Sequence, residues 1–195
     1  MRMSGPSNKA LALPDEGIAP SLGGATQWLN SKPLSGQDLR GKVVLVDFWT
    51  YSCINCQREL PHVQAWYQRY RPLGFQVVGV HTPEYAFERV PANIADGAAR
   101  LGLTFPVAVD NDYRTWTAYQ NIAWPAGYLV DAGGVIRRVN FGEGDYAETE
   151  SDIRALLAAA NPGVELPAPT DLPDTTPRDR RQTPELYLGA KRGLT

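Results

Sequence analysis

Between Val43 and Pro61 the chain reads VVLVDFWTYSCINCQRELP, and few folds can accommodate that run. Val43 to Trp49 is apolar except for Asp47; its length and β-branched content predict a strand buried on both faces. Beyond Thr50, Tyr51 and Ser52, the residues Cys56, Leu60, Val63, Tyr67 and Tyr70 recur at helical intervals and give one apolar face. Cys53 and Cys56 therefore fall where a core strand ends and a helix begins. Sulfurs three residues apart in a first helical turn can form a disulfide without large backbone change. Cys53 comes first, at the positive end of the helix, where unpaired N–H groups favour a thiolate. A free thiol titrates near ~8.5 and is lowered in this setting. Cys53 is thus the expected nucleophile and Cys56 the resolving thiol.

Asp47 is the second signal. An aspartate inside a buried strand loses hydration, which raises its pKa. It lies on the strand that leads to the cysteines and can take the proton that Cys56 must shed, directly or through a water. The competing expectation is an acid satisfied by backbone N–H groups.

On these residues the chain resembles the thioredoxin superfamily: DFWTYSCINCQRELP is similar to its active-site stretch, with Asp-Phe-Trp at the expected distance before the first cysteine. Glu59-Leu60-Pro61 resembles the extracytoplasmic TlpA/ResA-like reductases, and YSCINC is most similar to the thioredoxin-like domain of DipZ-type proteins, in which that domain is joined to a CcdA-like membrane electron carrier. The resemblance spans about residues 19–160. It implies a thioredoxin fold, an α/β arrangement with a central mixed sheet flanked by helices. It adds an N-terminal hairpin extension and an inserted helix and strand before a cis-proline at Trp124-Pro125. It further implies an extracytoplasmic (periplasmic or cell-surface) protein-disulfide reductase, linked to cytochrome c biogenesis. Its electrons would come from a CcdA-like donor, and it would need no redox cofactor beyond the Cys53–Cys56 pair. Trp124 and Pro125 would then offer backbone pairing and an aromatic wall to an extended substrate, with Tyr51 at the exposed strand–helix junction beside them and Trp49 in the core.

The rest of the chain is consistent with this scheme. QWLNSKPL, from Gln27 to Leu34, reads as two short strand pieces about an Asn30-Ser31-Lys32 turn, followed by a helical turn closed by Leu39 and Gly41. Pro61 falls inside the active-site helix, where it removes a hydrogen bond and should kink it. That helix ends near Arg71–Gly74. Phe75–Val80 is a second buried strand, Pro91–Leu101 a helix stopped by Gly102, Phe105–Val109 a third strand and Tyr113–Gln120 a short helix. Strands alternating with helices imply parallel pairing. Gly127–Asp131 and Val135–Phe141 flank Ala132-Gly133-Gly134 as a hairpin. Ala147–Ala160 is a last helix with Ile153, Leu156 and Leu157 facing inward. Residues 1–18 read as an arm and 161–195 as a proline-rich extended tail or linker, in which TPELYLG is an expected first strand of a following domain.

Other chemistry is less well supported. Zinc needs four ligands, and beyond the two cysteines the usual N/S type offers only His62 and His81. A structural disulfide spanning two residues would barely restrict the unfolded chain. Thr82-Pro83 resembles the start of a peroxiredoxin signature without its cysteine, so a thiol peroxidase would have to use Cys53. Asp110-Asn111-Asp112 lacks the later residues of a calcium loop and reads as a solvated turn. A non-catalytic peptide-binding module is the remaining alternative. With 19 basic and 21 acidic residues and a net charge of −2, no nucleic-acid partner is implied. No run reaches the ~18 apolar residues of a membrane span. The start lacks the apolar core of a signal peptide, so the chain is either cytosolic or a piece of a longer secreted or membrane protein, and the second is the favoured expectation.

Overall fold

The computed structural model describes residues 12–177. The predicted central strand forms as β2, Val43–Trp49, with every residue buried. It lies between β3 (Phe75–His81), which runs parallel to it, and β5 (Ala126–Val130), which runs antiparallel. With β1 (Gln27–Leu29), β4 (Val107–Val109) and β6 (Ile136–Phe141) the sheet order is β1-β4-β3-β2-β5-β6. β4 is parallel to β3, while β6 and β1 pair antiparallel to β5 and β4. This is the expected mixed sheet.

Side chains alternate across β2 and define the two layers. Val43, Leu45 and Trp49 face a core built with Cys56, Leu60, Val63, Trp66 and Tyr70 of α2 (Ile54–Tyr70) and with Ile153, Leu156 and Leu157 of α5 (Tyr146–Ala160). Val44, Val46 and Phe48 face the opposite core, with Leu22, Tyr119 and Tyr128. α2 runs through Pro61 without interruption and passes into a 3-10 turn that stops at Gly74, whose φ of 94° is the left-handed conformation that favours glycine. The expected insertion is present as α3 (Pro91–Arg100) and β4.

Two sequence expectations are corrected. The N-terminal hairpin does not form. α1 (Gly36–Leu39) follows, but Leu34 is not in a strand, because Pro33 offers no N–H to a ladder. Asn30, with a φ of 62°, instead donates from its side chain to the carbonyls of Leu103 and Phe105, so β1 pairs with β4 rather than folding back on itself. Asp110 is not solvated. It is fully buried, and its carboxylate accepts the Thr115 and Trp116 N–H groups at 2.9 Å, opening α4 (Arg114–Ala118), as well as the Thr82 hydroxyl at 3.2 Å. As far as residue 177 the tail is extended, and it is docked on α2 and α5. Glu150 accepts the Thr170 N–H and hydroxyl together with the Tyr70 hydroxyl, and Arg154 and Arg69 donate to the carbonyls of Pro167 and Pro169. The expected strand at TPELYLG and most of the expected N-terminal arm lie outside the described residues.

Gly79 of β3 shows how closely the site's support is packed. A Cβ there would stand 2.7 Å from the Phe105 ring and 2.8 Å from Trp49 Nε1. Gly79→Ala is therefore expected to destabilise the protein by about 1–3 kcal/mol through overpacking. The measurement is urea unfolding, where a lower midpoint at an unchanged slope is the expected result.

Candidate active site

Cys53 is the N-cap of α2, and its sulfur accepts the Cys56 N–H at 3.4 Å. Both cysteines are free thiols, with Cys53 half-buried and Cys56 fully buried. Because β2 ends in the core and α2 starts at the surface, the first sulfur is reachable and the second lies beneath it. A hydrogen bond from the Cys56 thiol lowers the Cys53 pKa; burial opposes this, and the N–H groups of Cys56 and Asn55 reinforce it. Cys56 moves the opposite way, pushed well up by burial and by donation to Cys53. The pair is thus polarised, with one sulfur suited to attack and the other to hold a proton until Cys53 is bonded.

Asp47 is fully buried. Burial, then the Cys53 charge, pushes its pKa up to about 7. Neither carboxylate oxygen has a hydrogen-bond partner among the described residues, so backbone N–H groups do not satisfy it. Its register partners are Gly79 on β3 and Gly127 on β5, which place no side chain directly across from it. Asp47 lines a cavity of ≈10 Å³ together with Glu59, Gly127, Asn140, Tyr146 and Thr149, a volume suited to one water.

Glu59 escaped the reading by residues, although it lies one turn past Cys56 within the otherwise apolar face; that interruption was the available signal. It is buried, and its pKa is pushed well up by burial and by the charges of Asp47, Cys53 and Glu143. On the outer side of the same turn Arg58 grips Glu143 at 2.6 and 2.7 Å and also donates to the Asn55 side chain at 2.8 Å. This fastens the first turns of α2 to the loop after β6.

The Trp124-Pro125 bond is cis. The Trp124 carbonyl lies 3.9 Å from the Cys53 sulfur. The indole turns away, donating to the Thr82 carbonyl at 2.9 Å and packing on Trp116 with centroids 4.2 Å apart, so backbone rather than ring faces the Cys53 sulfur. Tyr51 is half-buried, stacked on His81 at 5.7 Å, with its hydroxyl donating to the Phe87 carbonyl. Trp49 is fully buried. His81 lies between Trp49 and Tyr51, whereas His62 stacks on Tyr146 at 3.8 Å. Among the described residues no group of three or more His, Cys, Asp or Glu side chains is placed to hold a metal. Nor is any helix there long and apolar enough to cross a membrane.

Comparison with known proteins agrees with this geometry. Residues 18–139 match the AhpC/TSA family. The protein DipZ of Mycobacterium tuberculosis is 56% identical over 193 residues, which is 96% of this chain and 28% of DipZ, so the chain spans little more than a quarter of that relative. The thiol-disulfide oxidoreductase YkuV of Bacillus subtilis is 31% identical over 139 residues, covering 71% of this chain and 93% of YkuV. Among solved structures, a thiol-disulfide isomerase from Corynebacterium glutamicum superposes with a TM-score of 0.64 at 28% identity, covering 75% of this chain and 97% of that one. With its mixed six-stranded sheet and polarised cysteine pair, the chain belongs to the AhpC/TSA family and is a thioredoxin-fold homologue of the thiol-disulfide oxidoreductases.

Proposed function

We propose that this chain is the thiol-disulfide exchange domain of a DipZ-like extracytoplasmic reductase. One observation carries the reading: a half-buried Cys53 sulfur capping α2 directly above a buried Cys56 thiol that donates to it. The Cys53 thiolate attacks a substrate disulfide, forming a mixed disulfide and releasing one substrate sulfur as a thiolate. Cys56 then loses its proton to Asp47 and attacks the Cys53 sulfur. The Cys53–Cys56 bond forms and the second substrate sulfur leaves, taking up a proton. The substrate disulfide gains two electrons and the dithiol loses two. Glu59 shares the small cavity with Asp47 and gives the proton a second buried carboxylate. The cis-Pro125 segment holds the extended substrate through the backbone at Trp124, with Tyr51 on the opposite side.

The 56% identity to DipZ supports an extracytoplasmic setting, a CcdA-like membrane partner that re-reduces the pair, and a protein disulfide of cytochrome c biogenesis as a substrate.

Two measurements test the assigned roles. Cys56→Ser is expected to trap substrate on Cys53 as a stable mixed disulfide, visible on non-reducing gels and by mass spectrometry; trapping by Cys53→Ser instead would reverse the two roles. Asp47→Asn is expected to slow the resolving step about a hundredfold while changing the first attack little, as stopped-flow would read the two phases. Equal slowing of both would remove Asp47 from the proton path.

Asp47 also predicts a pH signature. Its carboxyl titrates at about 7 in the fold against 3.8 ordinarily, so from pH 4 to 7 the folded protein keeps a proton that the unfolded chain has lost. Stability is therefore present in full below about pH 4 and falls as pH rises through 7, by roughly 4 kcal/mol. Asn carries no such proton. Reduced Asp47→Asn is expected to exceed the reduced wild type in stability at pH 8 by about that amount, and by much less at pH 5, as measured by urea unfolding.

A further inference from the structure

Between β3 and α3 the chain makes a turn, residues 84–89, that the exchange chemistry leaves unused; its last four residues, Ala86–Arg89, are a 3-10 helix. Glu88 within it is fully buried. One carboxylate oxygen accepts the Ser52 hydroxyl at 2.5 Å, and the other accepts the N–H groups of Glu84 and Tyr85 at 2.6 and 2.9 Å. Burying an ionised carboxylate is unfavourable unless donors meet it, and one of these donors belongs to the residue immediately before the nucleophile. The residue before that, Tyr51, donates to the Phe87 carbonyl at 3.1 Å, and its ring meets the Phe87 ring edge-on at 6.2 Å. At the far end of the turn Arg89 and Asn111 exchange two hydrogen bonds of 2.9 Å. The turn is thus pinned at both ends and joined to both residues that precede Cys53.

What this clamp holds in place is apolar surface. Tyr85 and Phe87 stack face to face at 5.5 Å, yet remain 45% and 52% exposed, and Ile54, next to Cys53, is 58% exposed. Rings held rigidly in water beside a reactive sulfur bind without an ordering cost when a partner covers them.

We infer that the 84–89 turn is a specificity element for the exchange reaction, with Glu88 as its positioning residue, and that it receives an apolar or aromatic side chain flanking the substrate's cysteine. The inference rests on the exchange function proposed above. The occupant is an extended substrate segment because the shelf is continuous with the site: an extended chain advances about 3.3 Å per residue, so neighbours of a cysteine at Cys53 pass over Tyr51 towards Phe87.

The test compares two mixed-disulfide peptides that differ only next to their cysteine, one with Phe and one with Ser. Wild type is expected to favour the Phe peptide by about tenfold or more in kcat/KM, chiefly through KM. Phe87→Ala is expected to bring that ratio close to unity. Glu88→Gln is expected to lower it several-fold by raising KM for the Phe peptide alone, which a general loss of stability would not do. Should Glu88→Gln not fold, Ser52→Ala removes one of the three bonds to the same carboxylate and decides the point: an unchanged ratio there overturns the positioning role. A wild-type ratio near one, or a ratio untouched by Phe87→Ala, overturns the specificity element and leaves the exchange function standing. If wild type exchanges with neither peptide, the exchange function itself fails.

Discussion

A sulfur, rather than the usual hydroxyl or carboxylate, caps the helix on which this domain depends. Ser, Thr, Asp and Asn are the ordinary N-caps because their oxygens accept orphan N–H groups; here the Cys53 sulfur takes the Cys56 N–H. The contact stabilises the start of α2 and the anionic form of the sulfur at once, since the donor that completes the helix also disperses the negative charge. The placement of that sulfur depends on β2, which carries the chain through the centre of the sheet and releases it at Thr50. The cis-Pro125 segment and the Arg58–Glu143 grip close on the same helix end from two sides.

Beneath the cap lie acidic groups that cannot all be charged together. Cys53, Asp47 and Glu59 each raise the cost of ionising another, and burial adds to that cost for both carboxyls. Asp47 is thus inclined to hold a proton near neutral pH. Both carboxyls are fixed in place and line the same cavity of ≈10 Å³.

Features written in local pattern were legible in the sequence. The apolar run of β2, the helical face of α2 and the Gly-Gly turn joining β5 and β6 each rest on periodicity or turn chemistry within one segment. The cysteines declared themselves by spacing, and Pro125 through resemblance. What stayed hidden depends on contacts across many residues. Pro33 was a local sign against a strand at Leu34, but β1 turned to β4 because Asn30 had partners in the segment after α3, more than seventy positions away. Asp110 resembles a surface turn until Thr82 and the start of α4 converge on it. Glu59 carried a local signal in the interrupted face of α2, whereas the tie from Glu88 to the site carried none, because Ser52 is 36 residues distant. The tail's docking is likewise written in Glu150, Arg154 and Arg69, far from the prolines that marked it as extended.

The N-terminal stretch touches the sheet at opposite sides. β1 covers the open side of β4, while the Gly17 carbonyl accepts the Ile136 N–H, the Glu16 N–H donates to the Ile136 carbonyl, and Ile18 bridges Val135 at the beginning of β6. An uncovered strand is a template for self-association, and short outer strands and charged side chains are the usual protection against it. β1 is three residues long, and β6 carries Arg137 and Arg138. The domain therefore leaves the partly apolar face around Cys53 open while its strand margins discourage fibrous aggregation with copies of itself.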